Sequence, residues 1–519
     1  MKKGLRIALI SILSILFIFM MYWFLRIRRE IPLHARCIPK NAFAVMTLNI
    51  RELALDRSFG GHLFPEMEGK KNIHKELDPF IRAIEDNNGI GLYETADVLA
   101  FSYQEGDAAF LGVVASMKDS TKFGKLIREQ ISKQIPIHPF SLSGTSLVRF
   151  DTSSAVLGWN NDLTVFLFPI SDHGAEFTGD QCAKLLAQAE NQSVLTNANF
   201  RDHEMSSFDA GIWIQTEALI KFTGGGKLFR TAFDDAKYIS LALDFKDGEL
   251  DIQRTIEGDG KKHNLPFNST LLLNCDPKLV KGFWKIPIDL SNDSLVKLYS
   301  STPPFNMLPL NDEQYKKLAS TLDGTCTVLF HDTLSYNVNY ITYQYDENFN
   351  GIPKSEVKRE TTNGISACFG LKNEKAAKQY LTDWMQEDSI PFNGVSWLIE
   401  NEGATQRMMI SENVLTISNW PKTDGKKREI PKNFQGFDFY FPLADNFFLL
   451  ENSSFFYFFS KYESGKQLLT DNIKVASIST PIISNNKRVS QIRLTMANKD
   501  VNALVQMEEL VQKILDEGK

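Results

Sequence analysis

The sequence predicts an α+β fold: an N-terminal transmembrane helix followed by two degenerate repeats of a mainly antiparallel sheet packed with helices. Three observations lead there. An uncharged apolar run extends from Ile7 to Leu25. Apolar segments recur in the same order in both halves of the 519-residue chain. Most neighbouring strand-like segments are separated by short turns, the connection that antiparallel strands use.

The apolar run holds 19 residues, of which only Ser11 and Ser14 are polar. As a helix it reaches roughly 30 Å, the thickness of a bilayer core. Tyr22 and Trp23 stand near one end, where amphipathic rings favour the interface. A cleaved signal peptide has a shorter apolar core and a small-residue cleavage site, which Met20 to Arg29 does not offer. A lipoprotein box fails as well, because Cys37 follows His34-Ala35-Arg36. Lys2, Lys3 and Arg6 precede the run and Arg26, Arg28 and Arg29 follow it, which argues against a buried core helix. These balanced charges leave the orientation undecided. The reading is an uncleaved, single-pass anchor with the lipid bilayer as its partner.

The expected organisation is a basic tail (1–6), the anchor (7–25), a basic linker (26–36) broken by Pro32, a first repeat (37–262) and a second (263–519). Both repeats open on a proline before an apolar run: Ile38-Pro39-Lys40-Asn41-Ala42 before Phe43 to Leu48, and Leu265-Pro266-Phe267-Asn268-Ser269 before Thr270 to Leu273. Strands at Val98–Phe101 and Val328–Phe330 follow, then Gly112–Ala115 and Ser366–Phe369. Each of the latter leads into a helix, one carrying Phe123, Leu126, Ile127 and Ile131, the other Ala376, Ala377, Tyr380, Leu381 and Trp384 at one-face spacing. Leu163–Pro169 corresponds to Leu415–Pro421, and the closing pairs are Lys237–Ser240 with Ile252–Thr255 and Lys474–Ser477 with Ile492–Thr495. A polar stretch near Asp346–Glu360 reads as an insertion in the second repeat. An amphipathic helix ends the chain, capped by Asn498 or Asp500, with Val501, Leu504, Met507, Val511 and Ile514 as its stripe.

Composition supplies enough apolar residues, 43%, to build cores. The net charge of −6 argues against a nucleic-acid partner, which would need a basic surface. The five cysteines are scattered, as buried thiols or with one bridge at most, for example Cys326 with Cys368. No GxSxG elbow or HExxH helix occurs. Gly224-Gly225-Gly226-Lys227 lacks the first glycine of a phosphate loop and has Leu228 where Ser or Thr would hold magnesium. SxxK occurs at Ser294, Ser355 and Ser484 without its companion SDN and KTG motifs. No two histidines stand at i, i+3 or i+4, so no helical metal site is legible. No catalytic residue, metal ligand or cofactor is expected. One segment is unusual: Phe447, Phe448, Phe455, Phe456, Phe458 and Phe459 crowd into thirteen positions. They read either as core or as an apolar ligand or interaction surface.

The opening Ile38 to Leu53, IPKNAFAVMTLNIREL, with the anchor and basic linker before it, resembles uncharacterised bacterial envelope proteins classed under domains of unknown function. The resemblance implies an inner-membrane anchor with a periplasmic body, and it carries no assigned catalytic residues. Three functions are expected in order: a tethered binding or scaffold module with an envelope protein partner, a carrier of an apolar or lipid-like ligand, and an enzyme with a site assembled from distant residues.

Overall fold

The computed structural model describes residues 31–50, 52–53, 91–93, 97–129, 132, 136–142, 144–150, 154–170, 174–222, 236–258, 273–287, 311–345, 351–387, 390–401, 404–421, 423–428, 434, 436–442, 471–484 and 486–517. The chain divides into two compact units. The first holds residues up to Gly225 with Ala236–Phe245 and Ile252–Gly258; the second holds Gly226–Asp235, Lys246–Asp251 and Asp259–Lys519.

In chain order the first unit contains β1 (Ala42–Leu48), β2 (Val98–Glu105), β3 (Ala108–Ser116), α1 (Ser120–Glu129), β4 (Ile137–Leu142), β5 (Thr145–Phe150), β6 (Val156–Trp159) and β7 (Leu163–Pro169). It continues with α2 (Ala175–Leu186), α3 (Ala198–Glu204), β8 (Ala210–Gln215), α4 (Thr216–Phe222) and β9 (Ala236–Lys246). Then β10 (Glu249–Gly258) follows across a turn at Gly248, whose φ of +66° suits a residue without Cβ. The sheet runs β9-β8-β1-β2-β3-β7-β6-β5-β4, antiparallel at every step.

One face of this sheet carries Val45, Phe101, Val114, Val165, Leu167 and Trp213, closed by Cys182, Leu185 and Leu186 of α2. Two glycines let the layers approach. A side chain at Gly112 would collide with the Phe101 ring, and a Cβ at Gly158 would stand 2.7 Å from both Cys182 Sγ and Leu147 Cδ2. The opposite face is covered at β5 to β7 by α1, where Phe123 and Ile127 pack on Val148, Leu157 and Trp159. Phe123 meets Trp159 edge-on at 5.6 Å.

The second unit contains β11 (Leu273–Cys275), β12 (Gly282–Pro287), α5 (Asp312–Thr321), β13 (Leu322–Tyr345), β14 (Gly351–Leu371), α6 (Glu374–Glu387), β15 (Trp397–Asn401), β16 (Ala404–Ser411) and β17 (Val414–Ser418). After these come β18 (Thr423–Arg428), β19 (Phe437–Pro442), β20 (Ile473–Ser479), β21 (Ile482–Ser484), β22 (Lys487–Met496) and α7 (Ala503–Glu517). Its strands run β22-β20-β19-β12-β13-β14-β17-β16-β15, again antiparallel. With β10 placed beside β9, the two orders match from β10 and β22 through to β5 and β15, with β12 in the place of β1; β4 has no counterpart among the described residues. Of the opening expected at Leu265–Leu273, only Leu273 is among the described residues; it lies in β11, which pairs with β18.

Local chemistry sets the helix ends. Asn311 and Gln314 form a reciprocal capping box at the start of α5. The cap at α7 is Asn502, whose Oδ1 accepts from Leu504 N at 2.8 Å, rather than the expected Asn498 or Asp500. Its buried line runs Ala503, Gln506 and Leu510, one position off the expected stripe. Gln506 explains the rotation, because its amide donates to Asn498 O and Val501 O and pins the preceding turn inward.

The structure corrects the expected fold class. Among the described residues strand outweighs helix, 54% to 28%, so the fold is a mostly antiparallel sheet rather than an anchor followed by helix-packed repeats. Among the described residues no helix is long and apolar enough to cross a membrane. The longest, α7, has 15 residues, about 22 Å against the roughly 30 Å required, and carries Glu508, Glu509 and Lys513. The expected single-pass, inner-membrane protein with a periplasmic body is overturned on this finding, and Ile7 to Leu25 lies outside the described residues.

The proposed bridge is also corrected. Cys326 lies opposite Phe369, and Cys368 opposite Thr327, so the two side chains leave the sheet on opposite faces. All five cysteines are free and buried. Replacing Gly158 by valine should destabilise the protein by about 1–3 kcal/mol through overpacking against α2. A lower urea midpoint with an unchanged m-value would show it.

Candidate functional site

Alternation normally gives an antiparallel sheet one apolar and one polar face. The first unit departs from this. Opposite the α2-covered face, registered pairs carry an unbroken row across six strands: Leu241, Ile212, Met46, Ala100, Val113 and Phe166. A second row beside it holds Ile239, Ile214, Ala44, Ser102, Leu111 and Phe168. Twelve positions thus contain no ionisable group and a single hydroxyl. The surface continues Phe166, which packs with the α1 cluster, away from that helix. It stays open: Met46 is 40%, Leu111 44% and Phe168 43% exposed, and most of the rest are half-buried.

The second unit carries the same row differently. Ile478, Phe439, Trp284, Val328, Ala367, Ile417, Met408 and Trp397 are aligned across eight strands. There Val328, Ala367, Ile417, Met408 and Trp397 are buried, and Trp284 is exposed. Its neighbour Phe439 meets it edge-on at 6.2 Å. The open apolar face is thus a feature of the first unit.

Polar constellations lie in the interior. In the second unit His331, buried, faces Leu279 O through Nδ1 at 3.2 Å and Ser366 Oγ through Nε2 at 2.8 Å. A carbonyl can only accept, so Nδ1 carries the proton and Nε2 accepts from Ser366. Ser366 Oγ lies 2.6 Å from Ser418 Oγ, which accepts from Trp420 N at 2.9 Å, and the Trp420 ring stacks on His331 at 4.9 Å. The chain is satisfied and closed from solvent, which suits a structural clip better than a nucleophile. In the first unit His34 Nδ1 meets Ser116 Oγ at 2.8 Å. There, too, Thr47 Oγ1 donates to the buried Glu204 at 2.7 Å.

Burial pushes the thiols of Cys37 and Cys368 up, to about 12 and about 11, and raises Cys182 and Cys326 as well, so these remain protonated at neutral pH. Among the described residues no group of three or more His, Cys, Asp or Glu could hold a metal. Ser355 and Lys358 lie on one strand opposite Ile341 and Val338, on alternate faces, so that SxxK does not form a site. Ser294, Gly224 to Lys227, and Phe447, Phe448, Phe455, Phe456, Phe458 and Phe459 lie outside the described residues. Sequence reading missed the open face, although a signal was present: AFAVMTL, VLAFSY, AAFLGVVAS, LTVFLF and AGIWIQ lack polar alternation.

Burial also pushes the imidazoles of His34 and His331 down from 6.5 to about 4. Each ring is neutral in the fold, while the unfolded chain takes up a proton below about pH 6.5. The unfolded state then holds more protons, so this stability is full above pH 6.5 and is lost as pH falls through 4. About 3 kcal/mol per ring is involved. Urea midpoints should fall across that window, and His331→Phe should flatten the slope.

No protein-family model matches the chain, and no curated protein matches it. Among solved structures, three crystal forms of the protein TP0453 are similar to part of it. Form I shares 11% identity over 47% of this chain and 87% of that one, with a TM-score of 0.28. Form III shares 9% over 47% and 88%, with a TM-score of 0.28. Form IV shares 9% over 44% and 80%, with a TM-score of 0.26. Likeness at this level carries no argument about fold or role.

Proposed function

We propose that the chain is a binding protein whose first unit takes an apolar, lipid-like ligand on the uncharged face of its sheet. The observation that supports this is the pair of registered rows without an ionisable side chain, left open at Met46, Leu111 and Phe168. A hydrocarbon ligand needs contact area and no hydrogen-bonding partners, and this surface offers that combination. The exposed parts of those three side chains amount to roughly 80 Å² each. Covering them gains about 2 kcal/mol apiece at ~25 cal/mol per Å². With the half-buried neighbours added and the cost of association subtracted, micromolar affinity is expected, about 8 kcal/mol.

The test is titration of the intact chain with a fluorescent fatty acid, displaced by an unlabelled one. Saturable binding should weaken at least tenfold in Leu111→Lys or Phe168→Lys, with the circular dichroism unchanged. Trp284→Lys in the second unit should bind like the parent. Absence of saturable binding, or equal weakening by Trp284→Lys, would overturn the proposal.

A further inference from the structure

The uncharged face of the first unit has one charged margin. Past the first row its strands continue through Leu243, Ala210, Leu48, Val98, Ala115 and Thr164, none of them ionisable. Past the second row stand Lys237 on β9, Gln104 on β2 and Ala109 on β3. Lys237 lies two residues before Ile239, so alternation sets it on the same side of the sheet, while Tyr238 between them turns to the covered core.

On the six strands that carry the two rows, Lys237 is the only ionisable side chain on this face among the described residues. The carboxylates of the same strands turn the other way. Glu105 meets Lys184 of α2 at 2.7 Å, and Asp244 alternates with Leu243. The backbone at Lys237 is held in place: Thr216 Oγ1 donates to Lys237 O at 3.0 Å, and Tyr238 pairs with Gln215. The residue itself is exposed. A solvent-facing cation thus stands at the edge of a wide apolar surface that bears no acid.

We propose that the ligand of this face is a single-chain fatty acid, its carboxylate held at Lys237 and its hydrocarbon chain laid across the strands. This rests on the reading of the face as an apolar binding surface and adds the chemistry of the head group. Charge selects an anion, because a lone cation on an acid-free margin attracts a carboxylate and repels a cationic amphiphile. The count of cations selects one carboxylate. An anionic membrane surface is held by clusters of about four to eight basic residues, and phosphate is favoured by bidentate arginine forks. Dimensions agree. The row from Ile239 to Phe168 crosses six strands, about 24 Å at the usual strand spacing. An acyl chain spans half of a bilayer core of roughly 30 Å, so from Lys237 it passes Ile214 and Ala44 and approaches the exposed Leu111.

Competition against a fluorescent fatty acid on the full chain tests this, with dodecanoate, dodecanol, dodecyl phosphate and dodecyltrimethylammonium as unlabelled competitors of one chain length. At about pH 8 the carboxylate is ionised and the lysine charged. Dodecanoate should then compete roughly three- to tenfold more strongly than dodecanol, and dodecyltrimethylammonium more weakly than either. High salt should narrow the gap between acid and alcohol. Lys237→Met should bring the acid down to the level of the alcohol, leave the alcohol unchanged and keep the circular dichroism of the parent. Lys237→Arg should restore the preference, and Lys354→Met in the second unit should retain it. Equal competition by acid and alcohol in the parent, or a preference that survives Lys237→Met, overturns the head-group proposal while the apolar surface stands. Competition by none of the four overturns both. Dodecyl phosphate competing at least tenfold more strongly than dodecanoate overturns the carboxylate. So does sedimentation of the chain with phosphatidylglycerol vesicles that Lys237→Met abolishes, which would assign the margin to a membrane surface.

Discussion

Cross-strand register is the constraint on which the rest of the structure depends. Once Val45 is paired with Phe101 and Trp213, every neighbouring position is assigned to a face, because side chains alternate with a period of two. Val45, Phe101 and Leu167 then turn toward α2, and Met46, Ala100 and Val113 turn away. A slip of one residue would exchange the two sets. Gly112 and Gly158 guard the register from the packed side, since only a residue without Cβ lets the Phe101 ring and the α2 helix come close enough.

That constraint explains why two apolar surfaces in this protein remain open. In the first unit both faces of the sheet are apolar, but α1 reaches only the strands from β5 to β7. In the second unit an extended hairpin arm runs past its neighbours, and alternation sorts its residues into a charge-paired face and one on which Arg359 is the only charge among the described residues. Two-stranded ribbons are marginal in isolation, so the lysines, glutamates and tyrosines of the polar face help to hold the arm while the other face is left available.

The buried polar groups have a different role. Chains such as His331, Ser366 and Ser418 satisfy one another inside the sheet and specify how strands and loops meet. Neutral imidazoles kept from water also tie the stability of both units to pH.

Much of the local structure was legible in the chain itself. Val98–Phe101, Gly112–Ala115, Leu163–Pro169 and Val328–Phe330 all read as strands, and Glu374 onward and the C-terminus as helices, because hydrophobic period and capping chemistry are local signals. Tertiary structure decided the partners. Thr270–Leu273 looked like the counterpart of Phe43–Leu48, yet β12 holds that place, since a proline-led apolar run is the same signal wherever it pairs. The Asp346–Glu360 region read as a polar insertion, and only pairing with Thr333–Tyr345 made its second half one strand of an amphipathic arm. An apolar strand likewise does not say whether both of its faces are covered; that depends on how far a helix such as α1 extends, which is a property of long-range packing.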